Sequence, residues 1–275
     1  MVDEAPGSRA APAQAVPALA VTTSGKSSPA LIRESQEAAR RWGLPWIERR
    51  ASTIGALLST RAQALLIFER ERIALVDPEG SLTFHAGMAH LRVQRLASGE
   101  GDALVRVAAL RPGDHVLDCT LGLGQDARVA AAAVGPGGSV VGLEQSLALF
   151  AVQDAGFRRE GAPVDACAVR PLHAEAGAYL RAQPSRSVDV VFFDPMFEKP
   201  KKAQPAFALL RRFAHPAPLT RALVDEALRV ARKRVVIKAG KYSSTLRELG
   251  LEDVERSRYS DVVWSAIPVD GAAHP

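Results

Sequence analysis

Cysteine is scarce in this chain: 275 residues carry two, Cys119 and Cys167, too far apart for any zinc-ligand spacing. Both sit in apolar, strand-like runs, so they are expected as buried free thiols of a protein in a reducing cytoplasm. No apolar run reaches the roughly 18 residues that a membrane span requires. The N-terminal stretch MVDEAPGSRAAPAQAVPALA has no basic head followed by a continuous apolar core, which argues against a secretory signal. No cluster of His, Cys and carboxylates at ligand spacing is present, so no metal is expected, and no internal repeat is visible. Gly25, Lys26 and Ser27 resemble part of a phosphate-binding loop, but the upstream glycine of that motif is missing.

What is present is an ordinary globular composition, 47% hydrophobic and 24% charged, with a net charge of +5. The modest positive balance is compatible with a polyanionic partner without requiring one. Residues 1–20, rich in Ala and Pro, read as a disordered tail. Residues 21–90 read as a small α+β domain. A short strand at Val21 leads to an amphipathic helix from Pro29 to Trp42 that Gly43 and Pro45 stop. A second helix spans Ile54 to Ser59, and ALLIFER, RIALVDP and SLTFHAG form three short strands. Residues 91–111 form a connecting, mostly helical segment rich in Arg, with Arg92 and Arg95 on one turn beside His90.

From 112 to 270 strands and helices alternate. Strands are predicted at 115–119, 138–143, 167–172, 188–194, 233–238, 251–258 and 261–267, with helices near 125–134, 145–160, 174–183, 217–232 and 242–249. Runs such as VDVVFF and RVVIK are continuously apolar, as parallel strands covered on both faces require. The last two strands lie too close in sequence for a crossover and are predicted as an antiparallel hairpin.

The main domain is organised around HVLDCTLGLGQD, residues 115–126. A strand ends in Asp118, a turn carries Gly122 and Gly124, and a helix follows, with Asp126 in its first turn. The glycines let the backbone approach a ligand, and the helix start offers N–H groups. A carboxylate at the strand end suits a cationic amine or a ribose more than a phosphate, as in S-adenosylmethionine (SAM). Glu144 closes the next strand 20 residues after Gly124, where a carboxylate accepts the hydroxyls of a nucleoside ribose. Gly122, Gly124 and Ala127 also spell a dinucleotide-binding fingerprint. That fingerprint needs its first glycine directly off the strand, whereas Cys119-Thr120-Leu121 intervenes here. A second feature against it is VDVVFFDPMFEKPKK, in which a buried strand ends in Asp194-Pro195-Met196-Phe197. There Asp194 can accept hydrogen bonds from an exocyclic amine, Pro195 turns the backbone sharply, and Phe197 can stack on a base.

The tetrapeptide Asp194-Pro195-Met196-Phe197 resembles the (Asn/Asp)-Pro-Pro-(Tyr/Phe) motif of amino-group methyltransferases. With GMAHLR (87–92), the turn DCTLGLGQD and the strand KRVVIK (233–238), the chain resembles the bacterial methyltransferases that modify guanine N2 in small-subunit ribosomal RNA, and their relatives, over residues 20 to 268. Met196 departs from the second proline of the general motif, and Thr120 stands where many class I enzymes have glycine.

The resemblance implies an α/β fold with the class I methyltransferase Rossmann-like sheet, seven-stranded and mostly parallel with a C-terminal antiparallel hairpin. It also implies SAM as cofactor and RNA, as ribosomal RNA or a small ribosomal subunit, as partner. On this reading Asp118, Thr120, Gly122, Gly124, Asp126, Glu144 and Glu175 bind cofactor, and Asp194, Pro195 and Phe197 are catalytic. The basic side chains Lys199, Lys201, Lys202, Arg211 and Arg212, in what reads as a proline-rich loop, join Lys238 and Arg92 as candidate RNA contacts. A protein or small-molecule acceptor, and a non-catalytic RNA-binding module, stay open.

Overall fold

The computed structural model describes residues 18–85, 87–195, 205–214, 218–252, 255–256 and 261–269. Its first strand, β1 (Leu19–Thr23), begins two residues ahead of the expected onset, because Leu19 and Ala20 already pair with Ala64 and Leu65. Helix α1 (Pro29–Trp42) is capped by the Ser28 hydroxyl, which accepts the Leu31 N–H at 3.2 Å, and ends on Gly43 in the left-handed region. It buries Leu31, Ala38, Ala39 and Trp42, the apolar stripe that its periodicity dictates. After α2 (Ile54–Thr60), the strands β2 (Ala64–Phe68), β3 (Ile73–Asp77) and β4 (Gly80–Thr83) form an antiparallel meander, with β1 added parallel to β2.

Helices α3 (Ala89–Ala97) and α4 (Ala103–Ala108) lead into the second sheet, and Asp102 caps α4 by accepting the Leu104 N–H at 2.9 Å. Then come β5 (His115–Asp118), α5 (Gln125–Val134), β6 (Ser139–Glu144), α6 (Leu147–Glu160), β7 (Val169–His173), α7 (Ala176–Ala182) and β8 (Val188–Phe193). The chain continues through α8 (Pro205–Phe213), α9 (Arg221–Val230), β9 (Ala231–Gly240), α10 (Thr245–Glu248), β10 (Glu255–Arg256) and β11 (Val262–Pro268). These strands form one seven-stranded sheet in the order β10-β11-β9-β8-β5-β6-β7. All neighbours from β9 to β7 are parallel, while β11 runs antiparallel to both β9 and β10. The expected mostly parallel sheet with a final antiparallel pair is therefore the observed one.

Two differences from the sequence reading are instructive. Residues read as a proline-rich loop contain helix α8, because Pro205 sits at its first position, where a missing N–H costs no hydrogen bond. Behind it Leu209 and Leu210 are buried. Strand β9 also begins directly after α9, at Ala231, rather than at 233, because Ala231 pairs with Val188.

One face of the first sheet packs Leu65 and Ile67 against Leu57 of α2. On its other face the core built with Leu31, Ala38 and Trp42 of α1 is shared with the large sheet's helices. Leu66, Phe68 and Leu75 share one cluster with Leu149, Val152 and Ala155 of α6 and with Leu209 of α8. The small sheet thus covers the α6 side of the large one. Both cysteines are buried and free, and no described helix is long and apolar enough to cross a membrane.

Candidate active site

The strand order reverses at β5, whose neighbours β6 and β8 carry the chain away in opposite directions. Open α/β sheets bind ligands at this point, outside the carboxyl ends of the strands. Asp118 ends β5, Glu144 ends β6, and Asp194-Pro195 follows β8 directly. A cavity of about 310 Å³ opens there, walled by Thr120, Gly122, Glu144, Gln145, Glu175, Asp194 and Pro195, with Leu210 of α8 and Ser243 and Thr245 on its far side. That volume falls at the lower end of the ~300–1,000 Å³ range of small-molecule sites.

The turn between β5 and α5 is clipped to β6. Leu121 N–H donates to the Leu143 carbonyl at 2.9 Å, and Gly122 N–H donates to Glu144 Oε2 at 3.2 Å. Gly122 (φ +51°) and Gly124 (φ +69°) take the left-handed backbone that this path needs. A Cβ on Gly124 would also lie 2.8 Å from the Phe157 ring, so α5 seats on α6 only without one. Glu144 Oε1 accepts the Ser146 N–H at 2.8 Å. A carboxylate offers about four lone-pair sites, so Glu144 keeps acceptor capacity toward the cavity while its backbone partners hold it still. Burial raises the proton affinity of Glu144, opposed by the N–H groups of Ser146, Gly122 and Gln145.

Asp118 is placed deeper than the other strand-end carboxylates. Its residue is 2% exposed and stands behind the turn rather than in the cavity wall. Oδ1 accepts the Thr120 N–H at 2.9 Å and the Thr120 hydroxyl at 3.5 Å, and that hydroxyl in turn accepts the Asp194 N–H at 2.6 Å. Asp118 therefore shapes both ligand loops through Thr120. Burial is the main cause of a carboxyl pushed up to about 8, helped by the nearby charges of Asp126 and Asp194 and opposed by the Thr120 N–H and Lys238. Burial likewise pushes the Asp194 carboxyl to about 6 against the pull of Lys238, with Asp126 adding to the rise.

Asp126 also lies behind the turn, tied to Arg92 and Lys238 rather than facing the cavity. Gly124 serves as the N-cap of α5, where no side chain caps the first turn. Glu175 lines the cavity, yet its two oxygens cap α7 by accepting the Gly177 and Ala178 N–H groups at 2.7 and 2.6 Å. Arg212 faces the small sheet, where it pairs with Asp77 at 2.7 Å and also with Glu79, and so docks α8 rather than offering a free cation. Arg211 lies half-buried on α8. Lys238 and Arg92 form internal ion pairs instead of an open basic surface. Phe197, Lys199, Lys201 and Lys202 lie outside the described residues.

The sequence reading missed Gln145, whose carbonyl lies 3.0 Å from His173 Nε2, a ring stacked on Phe150. Its place after the Glu144 strand end was the available signal. It also missed Asp102, which holds Arg92 with both oxygens.

A sequence family described as "Putative SAM-dependent methyltransferase" matches residues 46–259. The chain belongs to the SAM-dependent methyltransferases. It is 34% identical over 242 residues to the Bacillus subtilis protein YpiP, covering 86% of this chain and 94% of that one. It is 31% identical over 203 residues to ribosomal RNA small subunit methyltransferase J of Aeromonas salmonicida, covering 68% of this chain and 79% of that one. The fold is shared with the crystal structure of a SAM-dependent methyltransferase from Neisseria gonorrhoeae, with a TM-score of 0.62, 19% identity, and coverage of 92% of this chain and 97% of that one.

SAM is the cofactor of this methyltransferase, and the donor set fits it. Glu144 would offer ribose hydroxyls an anchored acceptor, and the glycine turn brings backbone to the cavity edge. Asp194 stands on the wall of the same cavity.

Proposed function

We propose that this methyltransferase modifies an exocyclic amine of RNA, guanine N2 of small-subunit ribosomal RNA being the favoured target. The observation that carries the reading is Asp194, a carboxylate 27% exposed at the carboxyl end of β8 and on the wall of the cofactor cavity. Its Oδ2 is taken by Lys238 at 2.6 Å, and among the described residues no N–H donor is seen on Oδ1, the oxygen this reading gives to an incoming amine. The chain's similarity to proteins named ribosomal RNA small subunit methyltransferase J supports an RNA acceptor.

When bound, SAM supplies a methyl group made electrophilic by its sulfonium. An aryl amine is a weak nucleophile because its lone pair is delocalised into the ring. Asp194 Oδ1 accepts an amine N–H, orients the remaining lone pair toward the cavity, and stabilises the positive charge that grows on nitrogen. Pro195 has no N–H to compete for that carboxylate and fixes the turn that presents it. Phe197 would stack on the base, and Lys199, Lys201, Lys202 and Arg211 would contact phosphates. A paired base must be unstacked first or be met in a loop or an immature particle. Glu144, Gly122, Thr120 and Glu175 would line the cofactor. The reading places the protein in the cytoplasm, among ribosomal particles.

The test is transfer from tritiated methyl-SAM to small ribosomal subunits from a strain lacking the gene, followed by ribonuclease or protease digestion. Label lost to ribonuclease alone, and recovered as N2-methylguanosine, is expected. Label lost only to protease would move the acceptor to protein and overturn the reading.

A further inference from the structure

Four sequence runs that resemble one family, GMAHLR, the glycine turn, FFDP and KRVVIK, lie far apart in the chain and meet in a single line of charges. Arg92 of α3 grips Asp102 with Nε and Nη2, at 2.7 and 2.9 Å, and reaches Asp126 Oδ1 with Nη1 at 2.6 Å. Asp126 Oδ2 accepts from Lys238 Nζ at 2.8 Å, and the same ammonium donates to Asp194 Oδ2 at 2.6 Å. Signs alternate along the line, and every side chain before Asp194 is buried or nearly so: Asp102 and Asp126 are 9% exposed, Lys238 17% and Arg92 22%.

The geometry points to Arg92, Asp126 and Lys238 as positioning residues, a relay that holds the Asp194 carboxylate in place by one oxygen while keeping the other open for the acceptor. This rests on the role given to Asp194 under the proposed function. Each link is constrained by the next. Asp126 spends one oxygen on each cation, so it cannot satisfy Lys238 alone without losing Arg92. Arg92 is pinned by a two-toothed grip on the cap of α4, a geometry that lysine would not reproduce. Lys238 is further held over the Trp264 ring, 5.6 Å from its centre. A cluster serving stability alone would have no need to end on a cavity wall, and this line ends there, at Asp194.

The groups facing Asp194 make the relay readable. Lys238 of β9 favours its charge, whereas burial and Asp126 of α5 oppose it, and the Thr120 hydroxyl holds its backbone. Arg92 of α3 acts only through Asp126. Removing one link should therefore move Asp194 in a direction set by the sign of the charge lost. Loss of Lys238 removes an adjacent cation and raises the titration midpoint by about one to three units. Loss of Arg92 leaves Asp126 less neutralised and raises it by less. Loss of the Asp126 charge frees Lys238 for Asp194 and lowers it.

The experiment is carbon-13 NMR of the full chain labelled at aspartate Cγ, with D194N assigning the signal, on wild type, K238M, K238R, R92M and D126N. Circular dichroism reports folding. Upward shifts in K238M and R92M, a downward shift in D126N, and a midpoint kept low in K238R are expected. Shifts of one sign in K238M and D126N, or none in either, would overturn the relay, and D126N with K238R decides if K238M does not fold. Methyl transfer to small ribosomal subunits against pH runs in parallel. Midpoints that shift as expected while transfer ignores Asp194 would keep the relay and remove Asp194 from the chemistry.

Discussion

The Thr120 hydroxyl accepts the backbone N–H of Asp194 at 2.6 Å, although 74 positions separate the two residues. Through that bond the turn after β5 sets the height of the turn after β8, and Asp118 beneath it orients Thr120. Thr120→Val keeps the shape and removes the acceptor. It should leave the Asp194 N–H without its partner, at a cost of about 1–3 kcal/mol in stability. Methyl transfer should fall further than SAM affinity. Thermal melting and calorimetric titration with SAM check both, and an unchanged rate would remove Thr120 from the positioning of Asp194.

Glu144 is the acceptor assigned to the ribose. Glu144→Ala should weaken SAM binding by about 10- to 100-fold, the value of a hydrogen bond to a charged group. Titration of the purified variant with SAM measures this. Retained affinity would mean the cofactor lies elsewhere in the cavity.

In its proposed role Asp194 is ionised when it accepts an amine N–H. With its carboxyl pushed up to about 6 by burial, the working form is lost as pH drops through that value. The rate should fall about tenfold per unit below pH 6, while Asp194→Asn should be nearly inactive at every pH and still bind SAM. A rate profile flat down to pH 5 would rule out an ionised Asp194 as the acceptor.

Asp118 carries the opposite consequence for stability. Its folded carboxyl sits near 8, above the roughly 3.9 of an unfolded aspartate. The folded state therefore binds the proton more tightly. The resulting stability is complete below about pH 4 and is lost as pH rises through 8. Asp118→Asn mimics the protonated form and can still accept the Thr120 N–H. Its melting temperature should gain on that of the wild type between pH 5 and pH 9, and a difference independent of pH would refute this.

Much of the fold was legible locally. Apolar runs such as VDVVFF are long enough for a buried strand and too short for a helix, and the stripe of α1 repeats at helical spacing. Gly122 and Gly124 stand out because few other residues tolerate their backbone. Helix α8 was not legible, since Pro205 reads as a breaker unless it falls at a helix start. The role of Arg212 depended on Asp77 and Glu79, which reach it only after the small sheet packs on α8.

By itself, then, the sequence determined most of the elements and the family, because these follow from periodicity, backbone preference and contiguous motifs. Only the tertiary structure decided what each charge does. Asp118 turned inward to Thr120, Asp126 went to Arg92 and Lys238, and Asp194 alone of the three lines the cavity. A carboxylate's task depends on which donors surround it and how much water it keeps, and both are properties of neighbours brought together from distant parts of the chain.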